Sequence, residues 1–188
     1  FDVAGSALTE NLLHGSRFSN WYGILSRGLL LPRQVVSLGV KRTNVGWLGS
    51  GIYFADSIDT CTRYSVPSAK DGMTRFVAVV GVNLGRAKET VGIDTSLTEP
   101  PSGFDSVKAL GSEQCGGGAS SLDASSSEFQ DNEYCVYQDN RHFMKYLVEY
   151  STENPLPLPH TNVPLAPPPP SSPTPAATAT PAAASRPA

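Results

Sequence analysis

The chain has 188 residues, 39% of them hydrophobic and 16% charged, enough for one domain with a real apolar core. Lys and Arg number 14 against 17 Asp and Glu, a formal charge of -3. That balance gives no support to direct nucleic-acid binding, which normally needs a basic surface, but it leaves room for a nucleotide that asks for only a few local donors.

Phe1 to Asn11 is short and mixed, and Leu12-Leu13 lead into His14 as the end of a first strand. Ser19-Asn20 is a helix cap, Trp21, Ile24 and Leu25 fall at helical spacing, and Gly28 stops the helix. Arg33 to Trp47 is loop-like, with a brief strand at Val35-Val36. Gly49-Ser50-Gly51 is a turn opening onto a strand, Ile52-Tyr53-Phe54. Asp56 or Ser57 then caps a helix carrying Ile58, Cys61 and Tyr64, which Val66-Pro67 ends. Thr74 to Leu84 is almost continuously apolar and predicts a strand near the centre of a sheet.

Gly85 to Phe104 is a polar excursion, Ser106-Val107-Lys108 a short strand, and Gly111 to Glu128 a loop flexible by its Gly and Ser content. Glu133 to Tyr137 reads as a strand with Tyr134 and Val136 on one face and Glu133, Cys135 and Tyr137 on the other. Phe143 to Tyr150 is the last strand, Met144, Tyr146 and Val148 alternating with Phe143, Lys145, Leu147 and Glu149. Short strands dominate and no doubly wound series appears. Residues 1–150 form the folded unit. Residues 151–188 hold twelve of the sixteen prolines and predict a disordered linker, or alternatively a peptide for a proline-recognition module.

Three cysteines at irregular spacing (Cys61, Cys115, Cys135) make no disulfide framework, and His14, His142 and His160 are too scattered for a zinc pattern. A reducing, intracellular setting (cytoplasm, nucleus or both) and no metal are expected. No apolar stretch approaches a membrane span. Opening on Phe1 without a signal-peptide pattern, the chain reads as a piece of something longer, incomplete at its N-terminus. His14 followed by Gly15, Glu133 in an apolar and aromatic strand, and the tyrosines Tyr53 and Tyr64 are the candidate functional residues. Each also has a structural reading: a satisfied histidine, a solvated acid, core aromatics. The glycines 46, 49 and 51 precede a strand rather than a helix, so they are no phosphate loop. No G-x-S-x-G elbow is present. A Cys61–His14 thiol pair stays open, though nothing local activates the thiol.

Several stretches together resemble a known family. They are His14-Gly15-Ser16-Arg17 with Asn20; residues 23–29; Gly49-Ser50-Gly51-Ile52-Tyr53-Phe54-Ala55-Asp56; residues 105–111; and Asn132-Glu133-Tyr134-Cys135-Val136-Tyr137 with Lys145-Tyr146-Leu147. In this order they are similar to the catalytic domain of the poly(ADP-ribose) polymerases, of the diphtheria-toxin-like ADP-ribosyltransferase class. Residues 39–43 and the Gly-Ser-Gly before Ile52 look most like the vault-associated member.

The resemblance implies an α+β fold: a split antiparallel sheet with short helices around an NAD cleft. It implies a His14, Tyr53 and Glu133 triad, with His14 on the adenosine ribose, Gly15 on the nicotinamide amide, and Tyr53 and Tyr64 flanking the nicotinamide ring. Ser16, Arg17 and Asn20 would lie along the adenosine, and the loop from about Pro32 to Trp47 would cover it. NAD+ would be substrate and proteins the acceptors, with any vault association lying in parts outside this chain. Glutamate at this position is associated in the family with polymer growth; single transfer, or a non-catalytic NAD- or ADP-ribose-binding module, are the alternatives. Three positions depart from the family: Cys61 stands for a serine that bonds the nicotinamide amide, Thr60 for a lysine that in some members bonds the glutamate, and Val66 for a histidine. The thiol predicts a looser nicotinamide subsite, and Thr60 a less rigidly placed Glu133. The helical regulatory subdomain of some members is not in this sequence.

Overall fold

The computed structural model describes residues 9–39, 45–114 and 122–151. Seven strands form one sheet, with three short helices and a few single 3₁₀ turns. The strands are β1 (Glu10–Gly15), β2 (Ile52–Ala55), β3 (Thr74–Val82), β4 (Ala87–Thr90), β5 (Ser106–Ala109), β6 (Glu133–Val136) and β7 (His142–Ser151). The helices are α1 (Trp21–Arg27), α2 (Pro32–Ser37) and α3 (Ile58–Tyr64). Sheet order is β4-β5-β6-β2-β1-β3-β7, antiparallel throughout except for the parallel β4–β5 pair. The expected α+β fold is borne out.

The sheet is split in its middle. β1 and β3 pair over six positions from Glu10↔Val82 to Gly15↔Val77, and β2 and β6 over four. β1 and β2 share a single register pair, Leu13↔Ala55. Side-chain alternation then sorts the core. One face carries Leu12, Phe54, Ala78, Val80, Val82, Tyr134 and Val136, covered by Trp21 of α1 and by Leu29 and Leu31. The opposite face holds two separate clusters: Leu48, Val107, Ala109, Phe129, Cys135 and Tyr137 over one half, and Ala55, Cys61 and Val77 under α3 over the other. The faces expected for Glu133 to Tyr137 are those observed.

Several expectations need correction. Val35-Val36 lie in a helix, not a strand: Pro32 presets the first helical turn, and Gln34 Oε1 accepts the Leu31 N–H at 2.8 Å. Asn20 is already helical (φ -80°, ψ -21°) and so does not cap α1; its amide donates to Ser16 Oγ at 3.1 Å instead. β3 is interior but second from the edge, flanked by β1 and β7. β4 lies inside the expected polar excursion, its Ala-Lys-Glu-Thr being poor in strand formers. The register of β7 against β3 shifts opposite Val79 and Val80, so Met144 and Leu147, three apart, both pack on the core while Tyr146 is 67% exposed. The stretch 111–128 contains 3₁₀ turns at Ser112–Gln114 and Ala124–Ser126. The readings on residues 152–188 and on the glycine run 116–118 lie outside the described residues. Among the described residues no helix is long and apolar enough to cross a membrane.

Phe129 is 1% exposed and packs edge-on to Trp47 with ring centroids 5.5 Å apart. Phe129→Ala is expected to cost about 3–5 kcal/mol, read in thermal unfolding as a Tm fall of roughly 10 °C. A shift of only a degree or two would mean that this half of the sheet has no packed core.

Candidate active site

The split in the sheet places the candidate residues. Below Leu13↔Ala55 the β1–β2 ladder stops, which leaves the Tyr53 carbonyl without a main-chain partner from β1. His14 supplies one: its Nδ1–H donates to the Tyr53 carbonyl at 2.8 Å. A carbonyl only accepts, so the proton sits on Nδ1 and Nε2 presents an acceptor. Burial holds the imidazole below its ordinary pKa, which favours this neutral form. The ring packs edge-on against Trp21 and Phe54, at 6.4 and 5.9 Å between centroids. Among the described residues the buried indole N–H of Trp21 has no hydrogen-bond partner. Ser16 and Asn20 are joined beside this end, and Arg17 is exposed in extended backbone.

Gly15 is the seam between β1 and α3. A Cβ there would lie 2.2 Å from the Cys61 carbonyl oxygen and 2.8 Å from Ser65 Oγ. Close approach of the helix, not an unusual φ, therefore requires the glycine. α3 sets Cys61 inward at 3% exposure and Tyr64 outward at 56%. Burial pushes the Cys61 thiol up to about 12, only partly offset by the Gly15 N–H, so it stays a thiol at neutral pH. That removes the thiolate pair with His14, whose ring lies on the other face of the sheet.

Tyr53 is pinned by its hydroxyl, which accepts the Leu48 N–H and donates to the Gly49 carbonyl, both at 2.8 Å. A Cβ at Gly46 would collide with the ring, so the 46–49 turn closes directly over it. Its hydrogen bonding is spent within the protein and only its ring is on offer. No ring contact joins Tyr53 to Tyr64 among the described residues.

Glu133 opens β6 opposite Ala55 on one side and Ala109 on the other, so two methyl groups flank it. Among the described residues none hydrogen-bonds or ion-pairs with its carboxylate. Burial raises it to about 7; Arg63 works against that rise and Asp131 adds to it. Glu133 in turn faces Tyr53, Cys61 and Tyr64 electrostatically.

The structure thus gathers Gly15, Tyr53, Cys61, Tyr64 and Glu133 at one end, and His14, Ser16, Arg17 and Asn20 at another. The His14 ring touches neither the Tyr53 nor the Glu133 side chain; the Tyr53 backbone joins the two ends. Thr60 does not meet Glu133 but donates to Asp131 Oδ2 at 2.6 Å. Trp21, Asp56, Arg63 and Asp131 are parts of the site that the sequence reading did not single out. Asp56 stands inside a matched stretch, and Trp21 and Asp131 lie beside one. Among the described residues no group of three or more His, Cys, Asp or Glu is placed to hold a metal.

Residues 8–152 match the family model for the poly(ADP-ribose) polymerase catalytic domain. The chain is 46% identical over 140 residues to the human protein mono-ADP-ribosyltransferase PARP4, covering 74% of this chain and 8% of that protein. It is 45% identical over 141 residues to the mouse protein of the same name, covering 75% and 7%. It is 30% identical over 159 residues to poly [ADP-ribose] polymerase 1 of rice, covering 73% and 15%. The chain therefore spans less than a tenth of the length of its human and mouse relatives.

The Glu133 carboxyl is expected to titrate near pH 7 by carbon NMR. A group whose folded pKa is raised contributes stability below its unfolded pKa and loses it as pH rises through the folded one. The domain should therefore weaken as pH climbs from the ordinary glutamate value of 4.5 through about 7, and Glu133→Gln should flatten that slope. A midpoint at 4.5 would show a solvated acid instead.

Proposed function

The chain belongs to the poly(ADP-ribose) polymerase catalytic-domain family, and from that premise we propose that it transfers ADP-ribose from NAD+ to a protein side chain and releases nicotinamide. The observation that carries the proposal is the desolvated Glu133 carboxylate at the mouth formed by Gly15, Tyr53, Cys61 and Tyr64. NAD+ is the substrate in this reading, and the residues fit its two parts. His14 Nε2 and the unpaired Trp21 N–H suit a hydroxyl-bearing sugar on one face. A glycine backbone and two tyrosine rings suit a flat amide on the other.

In this reading His14 accepts a hydrogen bond from the adenosine ribose, and Ser16, Arg17 and Asn20 line the adenosine. Gly15 pairs through its backbone with the nicotinamide amide, while Tyr53 and Tyr64 hold the ring between them. The bond from the ribose carbon to the ring nitrogen breaks, and nicotinamide leaves with the electron pair. Glu133 stabilises the positive charge that the sugar carries only in the transition state, where a fixed carboxylate of low hydration acts most strongly. An acceptor oxygen then bonds to the same carbon and gives up its proton. The steps need no covalent enzyme intermediate.

Single transfer is the reading we favour, supported by the names and identities of the human and mouse relatives against the 30% of the rice polymerase. Chain growth is the second reading, carried by Glu133 itself. We further place the protein inside the cell, a setting consistent with the buried free thiols of Cys61 and Cys135. Association with the vault, through regions outside this chain, rests only on the likeness of residues 39–43 and 49–51 to the vault-associated member.

Two variants test the reading with labelled NAD+. Glu133→Gln should lower transfer about 100-fold or more while leaving NAD+ affinity within about threefold; normal transfer by that variant would overturn the assignment, and product size separates single transfer from polymer. Cys61→Ser should lower KM for NAD+, since a hydroxyl is the stronger donor and the smaller atom. An unchanged or raised KM would count against a nicotinamide subsite at Cys61.

A further inference from the structure

The residues that lead into Glu133 are held from α3 and its approach. Thr60, 4% exposed, donates its hydroxyl to Asp131 Oδ2 at 2.6 Å. Arg63 donates to Gln130 Oε1, and Gln130 donates to Glu113 Oε1 at 2.6 Å. Asn132 donates to Asp56 Oδ2 at 2.9 Å and accepts the Gly111 N–H at 2.9 Å. Gly111 leaves no room on its own side, since a Cβ there would lie 2.4 Å from the Asp131 carbonyl carbon. Residues 130, 131 and 132 are thus each tied by a side chain to the segment 56–63, while among the described residues the Glu133 carboxylate has no such tie.

Of these ties the Thr60–Asp131 bond is charge-assisted and is the one whose donor is buried. A valine would fill the same space at position 60, so the hydroxyl matters only if the Asp131 carboxylate has to stay turned inward. Turned inward, it faces Glu133. The charged groups that act on Glu133 are Arg63 from α3 and Asp131 from the approach to β6. The titratable groups around it are Tyr53 of β2, Cys61 and Tyr64 of α3 and Cys135 of β6, all kept protonated at neutral pH by burial.

We propose that Thr60 and Asp131 are a positioning pair for Glu133: the Thr60 hydroxyl fixes the Asp131 carboxylate, and that fixes both the backbone on which Glu133 stands and the negative charge it faces. This deepens the reading of Glu133 given above and rests on it. The pair acts through Glu133 and touches no substrate. Its effect falls on the step in which Glu133 meets positive charge, not on NAD+ binding. It also gives Thr60 a task in the absence of the lysine that bonds the glutamate directly in some relatives of this family.

The test uses Thr60→Val, Thr60→Ser, Asp131→Asn and the Val/Asn double variant of the 188-residue chain, with nicotinamide release measured across about pH 5.5–9 and the Glu133 carboxyl followed by carbon NMR. Thr60→Val and Asp131→Asn should each lower kcat about tenfold, with KM for NAD+ within about twofold. Thr60→Ser, which keeps the hydroxyl, should restore the rate. Removing the like charge in Asp131→Asn lowers the Glu133 pKa, so the acid limb of the rate profile and the NMR midpoint both move to lower pH. The double variant should be no slower than Asp131→Asn alone. Additive losses, a raised KM with kcat unchanged, or a Glu133 midpoint identical in Asp131→Asn and the native chain would each overturn the pair. Should Thr60→Val fail to fold, Thr60→Ser and Asp131→Asn still decide. A native chain that releases no nicotinamide, with the midpoint still moving in Asp131→Asn, would sink the assigned reaction and leave the pair standing.

Discussion

Everything at the candidate site depends on the single register pair that joins the two halves of the sheet, Leu13↔Ala55. A ladder that stops after one pair leaves backbone groups to be satisfied by something else, since an unmet buried carbonyl is costly. The His14 imidazole meets that need at the Tyr53 carbonyl, and in doing so its tautomer becomes fixed. The same interruption divides the core on one face into two clusters. Glu133 stands at the seam between them, flanked by the methyl groups of Ala55 and Ala109 rather than by bulky side chains. Structure and chemistry have one origin here: the place where the sheet fails to close is the place where polar groups are left available.

Electrostatics at the two ends are set by burial in opposite senses. Desolvation disfavours charge on either sign of group, so it keeps His14 neutral and makes Glu133 reluctant to ionise. A neutral imidazole is the useful form for hydrogen bonding to a hydroxyl. A carboxylate with little hydration interacts more strongly with a cation than one already solvated. Arg63 keeps Glu133 from rising further, and Asp131 pushes the other way. The same desolvation silences the thiols: Cys61 and Cys135, both raised to about 12, are packing atoms rather than nucleophiles.

Much of this was legible in the sequence, for reasons that differ by element. The faces of β6 could be read because strict alternation survives along Glu133 to Tyr137. Alternation failed in β7 because a register shift opposite Val79 and Val80 is a tertiary event with no composition signal. α2 was missed because Val35-Val36 suggest a strand, while the stabilising contact comes from Gln34 folding back on Leu31 and reaching Asp139 far along the chain. β4 was missed because it gains its place by parallel pairing with β5 and not from its own residues. The triad positions were recognisable as members of matched stretches. That the His14 ring lies on the opposite face from Tyr53 and Glu133 was not, because β1 and β2 meet only after folding.

The two-faced arrangement bears on what the site can bind. A compact ligand lying on one face would reach either His14 or Glu133. A ligand that engages both has to pass the split edge where Gly15 lies against Cys61, with polar groups suited to each end. A dinucleotide has that form: a sugar and purine at one end, a flat amide at the other, and a linker between. Position 61 lies at that edge. Cys61 holds α3 against Gly15 through its backbone and faces Glu133 through its sulfur. His14 is held independently of it, by Trp21, Phe54 and the Tyr53 carbonyl. The His14 end and the Cys61–Glu133 end are therefore held separately, because they are built on opposite faces of one interrupted sheet.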